Sequence, residues 1–493
     1  MRRILSSLSI VLVALSASIL TATSQQSSAS PAAAEALLKQ GKVNEALPLL
    51  LQLHQSQPQN SQVCLQLGVA YTQLQQLDKA VDSYTKALKI NPGITPARRN
   101  LATLLWFVNR KSESVREFSS LIKLNPNDSV AHFYLGTFDF EQKQFLMARD
   151  HFAKAGDLAF GNPEALPMVL ETYLIVKDTL VPSRVMKQLR QAEHPDPELI
   201  NQVAILFLRY ENYAQAITAL ERLAEIQSKP EVYLMLAEAY DKERRPDDAY
   251  RALSRSIELE PKSEDGYLAL AAFSSDHHNT EFALKVIDQG LEKIPRSSRL
   301  LLQKGILRAL EGDLLKAEVS FQEAGQAKPD WTLPQLALGV TQLQAGRLGQ
   351  AAQTFQKVRQ ESSDYRAEYL YALSLTRAGA QGDATQRNKI IAALRRATDL
   401  NPKDSESRIL LGQTYLAAGQ LETAITELRK AIELNPRDPA AYYQLGVAYR
   451  KQGKQDMAQR QLRSFEQLKA QLKEEENEEK KALVQMLKVV KTK

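Results

Sequence analysis

Asp276, His277 and His278 form the densest cluster in the sequence of side chains able to bind a metal ion or move a proton. Their natural chemistry would be metal-assisted hydrolysis, with imidazole and carboxylate ligands activating a water. Adjacent histidines rarely face one ion without a third ligand from elsewhere, and His54, His132, His151 and His194 are scattered along the chain. The trio is therefore read as polarity in a turn, and no metal is expected. Cys64 is the single cysteine in 493 residues, which excludes an intramolecular disulfide and any multi-cysteine zinc or iron–sulfur centre. It opens a helical stretch with nothing basic beside it, so the expected role is a small buried apolar group and not a nucleophile.

Other signatures of catalysis are missing. The sequence contains no Gly-x-x-x-x-Gly-Lys or Gly-x-Gly-x-x-Gly phosphate-binding stretch, no Gly-x-Ser-x-Gly elbow and no His-Glu-x-x-His helix. Nor does it show the strand-like alternation on which such motifs usually sit. No catalytic residue and no cofactor are expected. Asn127-Asp128-Ser129 is a lone glycosylation sequon, a match near chance in a chain of this length.

The elements that would position any functional group are announced by a period. Pro58, Pro92 and Pro126 lie 34 residues apart, as do Pro261, Pro295 and Pro329, and again Pro402 and Pro436. Pro126 and Pro261 are separated by 135 residues, one short of four periods. Ahead of Pro92 come Gly68, Tyr71, Ala80, Tyr84 and Ala87; at the same offsets from Pro436 come Gly412, Tyr415, Ala424, Leu428 and Ala431. Pro261 gives Ala237, Tyr240, Ala249, Leu253 and Ser256. Spacings of three, four and seven put these residues on one face of each of two helices, with a turn between them. Small residues belong where two helices approach closely, and large ones fill the space between pairs.

A 34-residue helix–turn–helix unit with these markers resembles the tetratricopeptide repeat family. The resemblance runs over residues 32–472 and implies an all-α fold, a right-handed α-solenoid superhelix of about thirteen units. Units 61–94, 405–438 and 439–472 keep the pattern best. The fifth, 163–195, departs from it with Leu170 at the small position and Pro182 where alanine is expected, which predicts a kink or an irregular packing step. The eleventh carries an insertion around residues 379–386. The expected organisation is a leader and linker over 1–29, N-terminal units over 30–160, the degenerate unit over 161–195, C-terminal units over 196–472, and a charged helix or tail over 473–493.

The leader reads as a secretory signal peptide. Met1-Arg2-Arg3 is followed by an uncharged stretch from Ile4 to Leu20 and then by Thr21-Ala22-Thr23-Ser24-Gln25-Gln26. Cleavage is expected near Ser24 or Ala29. The alternative is a retained anchor, although the stretch is at the lower length limit for spanning a bilayer and contains several serines. The sequence predicts export to the periplasm, cell envelope or exterior, with membrane contact only through an uncleaved anchor. The formal charge of +6 is too thin over such a chain to indicate nucleic acid.

In the family resembled, the first helix of each unit lines a concave groove that takes extended peptides or helices. Transferred to this sequence, that face carries Thr103, Trp106 and Phe107 beside Phe133, Thr137 and Phe140, a notable group when 7% of the chain is aromatic. Aromatic side chains lose little rotamer entropy on binding. The last unit offers Tyr443, Val447, Arg450 and Lys451, suited to a carboxylate or an acidic segment. The clamp that some family members use on acidic chaperone tails is not expected, since Leu65, Val69, Ile409 and Gln413 occupy the corresponding places. The resemblance therefore implies a non-catalytic scaffold or adaptor for protein or peptide partners. The alternative is an accessory regulatory subunit of an envelope polysaccharide synthesis, export or secretion machine.

Overall fold

The computed structural model describes residues 30–192, 194 and 196–490, with side chains to 475; the leader over 1–29 lies outside the described residues. Among the described residues there are twenty-seven α-helices, one 3-10 turn and no strand. Twenty-six of the helices make thirteen consecutive hairpins, from Pro31–Lys39 with Val43–Ser56 to Pro439–Lys451 with Gln455–Val490. We call the two helices of a hairpin A and B. Packing separates the chain into two compact halves, up to Ala252 and from Leu253 onward, with the boundary inside the helix Pro246–Leu259. No helix among the described residues is long and apolar enough to cross a membrane.

Each hairpin turns at one backbone position. Residues 41, 75, 109, 143, 177, 211, 244, 278, 312, 346, 379, 419 and 453 all have positive φ, one per hairpin. The A helix closes there by a Schellman arrangement: in the second hairpin Gln76 N–H bonds to the Tyr71 carbonyl at 2.8 Å and Gln75 N–H to that of Thr72 at 3.0 Å. Glycine meets this left-handed conformation without strain at six of the thirteen, but Gln75, Asn109, Lys143, Lys177, Glu211, Arg244 and His278 hold it with a side chain. In the eleventh hairpin the inserted residues form the 3-10 turn Ala380–Gly382 directly after Gly379.

The helices of one hairpin meet through a small residue facing a large one. A Cβ on Gly68 would come within 2.4 Å of the Tyr84 ring, and one on Gly412 within 2.6 Å of Leu428. Ala80, Tyr84 and Ala87 are buried together, as are Ala424, Leu428 and Ala431. The fifth hairpin resolves its misfit differently. Leu170 occupies the small position and is fully buried, on an A helix of 10 residues where the others of the interior have 13. An extra turn of helix, Asp157–Phe160, precedes it. Pro182 falls in the first turn of Leu180–Gln191, where a missing N–H leaves no helix bond broken.

Neighbouring hairpins are stitched by polar contacts that also keep the period. The carbonyl of a marker proline accepts a hydrogen bond from the side chain six residues later: Arg98 to Pro92 at 2.9 Å, His132 to Pro126 at 2.8 Å, Tyr267 to Pro261 at 3.1 Å, Arg408 to Pro402 at 3.1 Å and Tyr442 to Pro436 at 3.1 Å. Arg98 and Arg408 simultaneously pair with Glu117 and Glu427. Arg395 donates to the Tyr415 hydroxyl at 2.7 Å, and 34 residues on Arg429 donates to that of Tyr449 at 2.6 Å. Glu368, almost wholly buried, lies between Arg359 at 2.6 Å and Arg396 at 3.2 Å.

Two substitutions separate these contributions. Gly68→Ala drives a methyl into the Tyr84 ring and should cost about 1–3 kcal/mol, as overpacking generally does. Glu211→Gly relieves a left-handed side chain and should stabilise by about 1 kcal/mol. Urea unfolding followed by hydrogen exchange in the affected hairpin checks both signs.

Candidate partner-binding site

Trp106 and Phe107 end the A helix Thr95–Phe107, and Phe133, Thr137 and Phe140 lie on the next A helix, Ser129–Glu141. The two helices are fixed by Asp128, whose buried carboxylate caps the second helix at the Ala131 N–H (2.9 Å) and accepts from Arg99 Nε on the first (3.0 Å). Across this seam the rings form a chain. Trp106 packs on Tyr134 with centroids 5.2 Å apart, Tyr134 stacks on Phe118 at 5.0 Å, and Phe133 meets the edge of Tyr134 at 5.5 Å. Lys111 sits 4.9 Å from the Trp106 centroid while pairing with Glu141 at 2.6 Å.

The predicted residues thus divide by exposure. Phe107 is 47% exposed. Thr103 and Trp106 are half-buried. Phe133 and Phe140 pack against the core around Phe152, and Phe140 also meets Phe145 at 5.7 Å. Thr137 directs its hydroxyl to the Phe133 carbonyl at 2.9 Å. Tyr134, which links Trp106 to Phe133, was missed in the sequence although it lies three residues before Thr137 on the same helical face. Burial pushes its hydroxyl up to about 12, so it stays a neutral phenol.

At the far end, Tyr443, Val447, Arg450 and Lys451 share the helix Pro439–Lys451. Tyr443 packs on Phe465 of the following helix at 5.3 Å, and Lys469 lies 5.6 Å from the Phe465 centroid. Val447 is half-buried against the core, whereas Arg450 and Lys451 are exposed. Arg437 pairs with Glu475 at 2.5 Å, tying the loop before this hairpin to its second helix.

A third surface was not anticipated. In the C-terminal half a groove of about 730 Å³ is floored by Leu268, Ala272 and Leu302 and bordered by Arg299, Lys328 and Trp331. Its walls come from two A helices, Glu264–Asp276 and Ser298–Leu310, and from the loops that follow their hairpins. The loop residues carry no repeat signature, so only their assembly in space identifies them.

The residues first suspected of chemistry have structural surroundings. Asp276 ends an A helix, His278 is the left-handed turn residue, and His277 packs on Phe273 at 4.5 Å. Among the described residues no three His, Cys, Asp or Glu side chains converge to hold a metal. Cys64 is buried, and burial raises its thiol; a histidine does lie near it in space, with His54 Nδ1 at 3.8 Å from Sγ and Lys86 at 2.8 Å from the other ring nitrogen.

Behind the aromatic seam, His132 uses Nε2–H on Pro126 and so offers Nδ1 as acceptor to His151 Nδ1–H at 2.7 Å. His151 Nε2 is 3.7 Å from Asp139. Burial, then His132 and Lys154, holds His151 down at about 4, with Asp150 opposing; burial raises Asp139 to about 6. The two act oppositely on stability. A lowered histidine makes the fold less stable as pH falls through 6.5 to 4; a raised carboxyl makes it less stable as pH rises through 4 to 6. Asp139→Asn should therefore leave a fold that weakens on acidification, and His151→Gln one that strengthens between pH 6 and 4. Thermal unfolding across that range, showing slopes of opposite sign, checks the assignment.

Comparison with known proteins agrees with the geometry. Profiles described as tetratricopeptide repeat match residues 61–93, 230–263, 333–357, 393–426 and 440–468, and a further TPR repeat profile matches 412–453. The chain is 30% identical over 93 residues to human Tetratricopeptide repeat protein 6, covering 19% of this chain and 16% of that one. It is 24% identical over 279 residues to Protein CTR9 homolog of Arabidopsis thaliana, covering 55% and 23%. The match thus spans less than a quarter of either relative's length. The crystal structure of yeast Tom70 aligns with 85% of this chain and 97% of its own at 15% identity, with a TM-score of 0.37. With thirteen helical hairpins, the small-against-large contact inside them and these profile matches, the chain belongs to the tetratricopeptide repeat family.

Proposed function

We propose that the chain is a non-catalytic scaffold, exported from the cytoplasm, that holds protein or peptide partners on the free faces of its A helices. The observation that supports this best is a recurrence of exposed apolar side chains in one register. In the N-terminal half, Ile205 is at the ninth position of its A helix and Phe107 at the thirteenth; in the C-terminal half, Ile306 and Leu310 hold the same two positions. None of these takes part in closing a hairpin. Exposed apolar groups in register cost solubility and gain nothing for the fold, which is the mark of an interaction surface.

Beside that pattern stand the aromatic seam of Trp106 and Tyr134 and the basic edge of Arg450 and Lys451. Export is supported by the order of residues 1–29: basic end, apolar stretch, small and polar residues. The destination would be the periplasm, the cell envelope or the exterior.

Crosslinking of the full chain in cells, with identification of attached proteins, tests the scaffold. Trp106→Ala combined with Phe107→Ala should reduce recovery of the partner about tenfold, as loss of an aromatic anchor does, with helix content unchanged and the thermal midpoint lowered only by the lost Tyr134 contact. Recovery unaffected by the pair would remove the seam from the binding surface. N-terminal sequencing of the exported protein should begin after Ser24 or Ala29, whereas a chain kept inside the cell would overturn the export assignment.

A further inference from the structure

The groove of the C-terminal half combines two cations that form no ion pair among the described residues with an apolar track. Leu302 lies on its floor, and Ile306 and Leu310 follow at four-residue steps on the same helix face, each about 6 Å farther along. Leu310 is 70% exposed, so the track runs out of the groove into solvent uncovered. Trp331 packs its inner side on the cluster around Leu301 and Phe321, which holds the indole rigid at the groove's edge.

The charges are unequally satisfied. Glu264 accepts from the Ser297 hydroxyl at 2.5 Å and faces Arg299 at 3.3 Å, and Arg299 also binds Asp265 at 2.8 Å. One guanidinium thus faces two carboxylates, which leaves one negative charge in excess on the Glu264 and Asp265 side. Arg296 and Lys328, both exposed and both lining the groove, form no ion pair among the described residues. The rim at Arg296 and Lys328 is therefore positive, opposite the acidic side, and the floor is apolar.

We infer that this groove binds an acidic, leucine-bearing segment of a partner protein. Its carboxylates lie against Arg296 and Lys328, and its aliphatic side chains lie on Leu302, Ile306 and the edge of Trp331. The inference rests on the partner-binding reading above and narrows it to one surface and one chemistry. A guanidinium and an ammonium select anionic groups, while the leucine floor rejects a purely polar chain, because neither could be desolvated without a matching group.

The test uses the full chain and fluorescent synthetic peptides of mixed Glu and Leu, of Lys and Leu, and of Glu and Ser. Binding is read by anisotropy and by tryptophan emission in a Trp106→Phe background, where Trp331 is the remaining indole. The Glu and Leu peptide should bind at least about tenfold tighter than either other peptide, weaken with salt and shift Trp331 emission. Arg296→Glu with Lys328→Glu should abolish that preference, and Leu310→Ser should weaken it; both lie on exposed positions and should leave the fold intact. Equal binding of the Lys and Leu peptide, or indifference to the double charge reversal, overturns the assignment. Anionic lipid vesicles binding through the same two cations as tightly as the peptide would overturn it as well. Should the peptide instead lose affinity only on Trp106→Ala with Phe107→Ala, the groove fails while the scaffold stands; should no peptide bind and no partner be crosslinked, both fail.

Discussion

The close approach of two helices through a glycine set against a large side chain is the contact on which the rest of the molecule depends. With Gly68 against Tyr84, or Gly412 against Leu428, a hairpin closes on itself at a separation that any Cβ would forbid. Closure buries one face of the A helix on its own B helix and leaves the opposite face with no partner inside the repeat. The exposed Phe107 and Leu310 are consequences of that geometry and not defects in it. A fold whose units close on their own small-against-large contact, the fifth with Leu170 excepted, has a side left over, and that side is where recognition can be placed.

Closure of single hairpins does not stack them, and the stacking uses a different chemistry. Where a marker proline follows a B helix, its carbonyl lies outside the helix ladder. The side chain six residues on satisfies it, whether guanidinium, imidazole or phenol, as Arg98, His132, Tyr267, Arg408 and Tyr442 show. At the part-buried sites of Pro126 and Pro261 an unsatisfied carbonyl would cost about 1–3 kcal/mol, and the identity of the donor is free. His132 is drawn into this role, which fixes its tautomer and in turn orients His151 toward it. The histidine pair thus follows from a stacking contact and needs no catalytic explanation.

Different physical rules were legible in the sequence to different degrees. The period, the helical class and the buried markers could be read because steric demands select residue types: only glycine fits under Tyr84, and only a large side chain fills the space opposite Gly412. The turns could be read only where they contain glycine. Gln75, Lys177 and Glu211 adopt the same left-handed backbone without any compositional mark, since the Schellman bonds impose the conformation at a local cost. The donors to the proline carbonyls were invisible because a function shared by arginine, histidine and tyrosine leaves no single-residue pattern. Tyr134 was overlooked on a face already identified by Phe133 and Thr137, and Cys64 acquires a histidine neighbour from a helix ten residues earlier.

The groove beside Trp331 was illegible for a further reason that bears on how such chains acquire specificity. Its floor is made by A-helix positions that the period predicts, Leu268 and Leu302, but its unpaired charges come from Arg296 and Lys328 in loops. Loop residues between hairpins answer to neither the glycine contact nor the turn geometry, so they can change without disturbing closure. A-helix outer positions are nearly as free. The hairpin contact therefore separates the residues that hold the array together from those that face a ligand, and it recurs from unit to unit. Substituting Arg296 alters the field of one groove and leaves Gly305 seated on Phe321 in the same hairpin as before. A protein organised in this way can change its partner at one unit without altering the fold of the next.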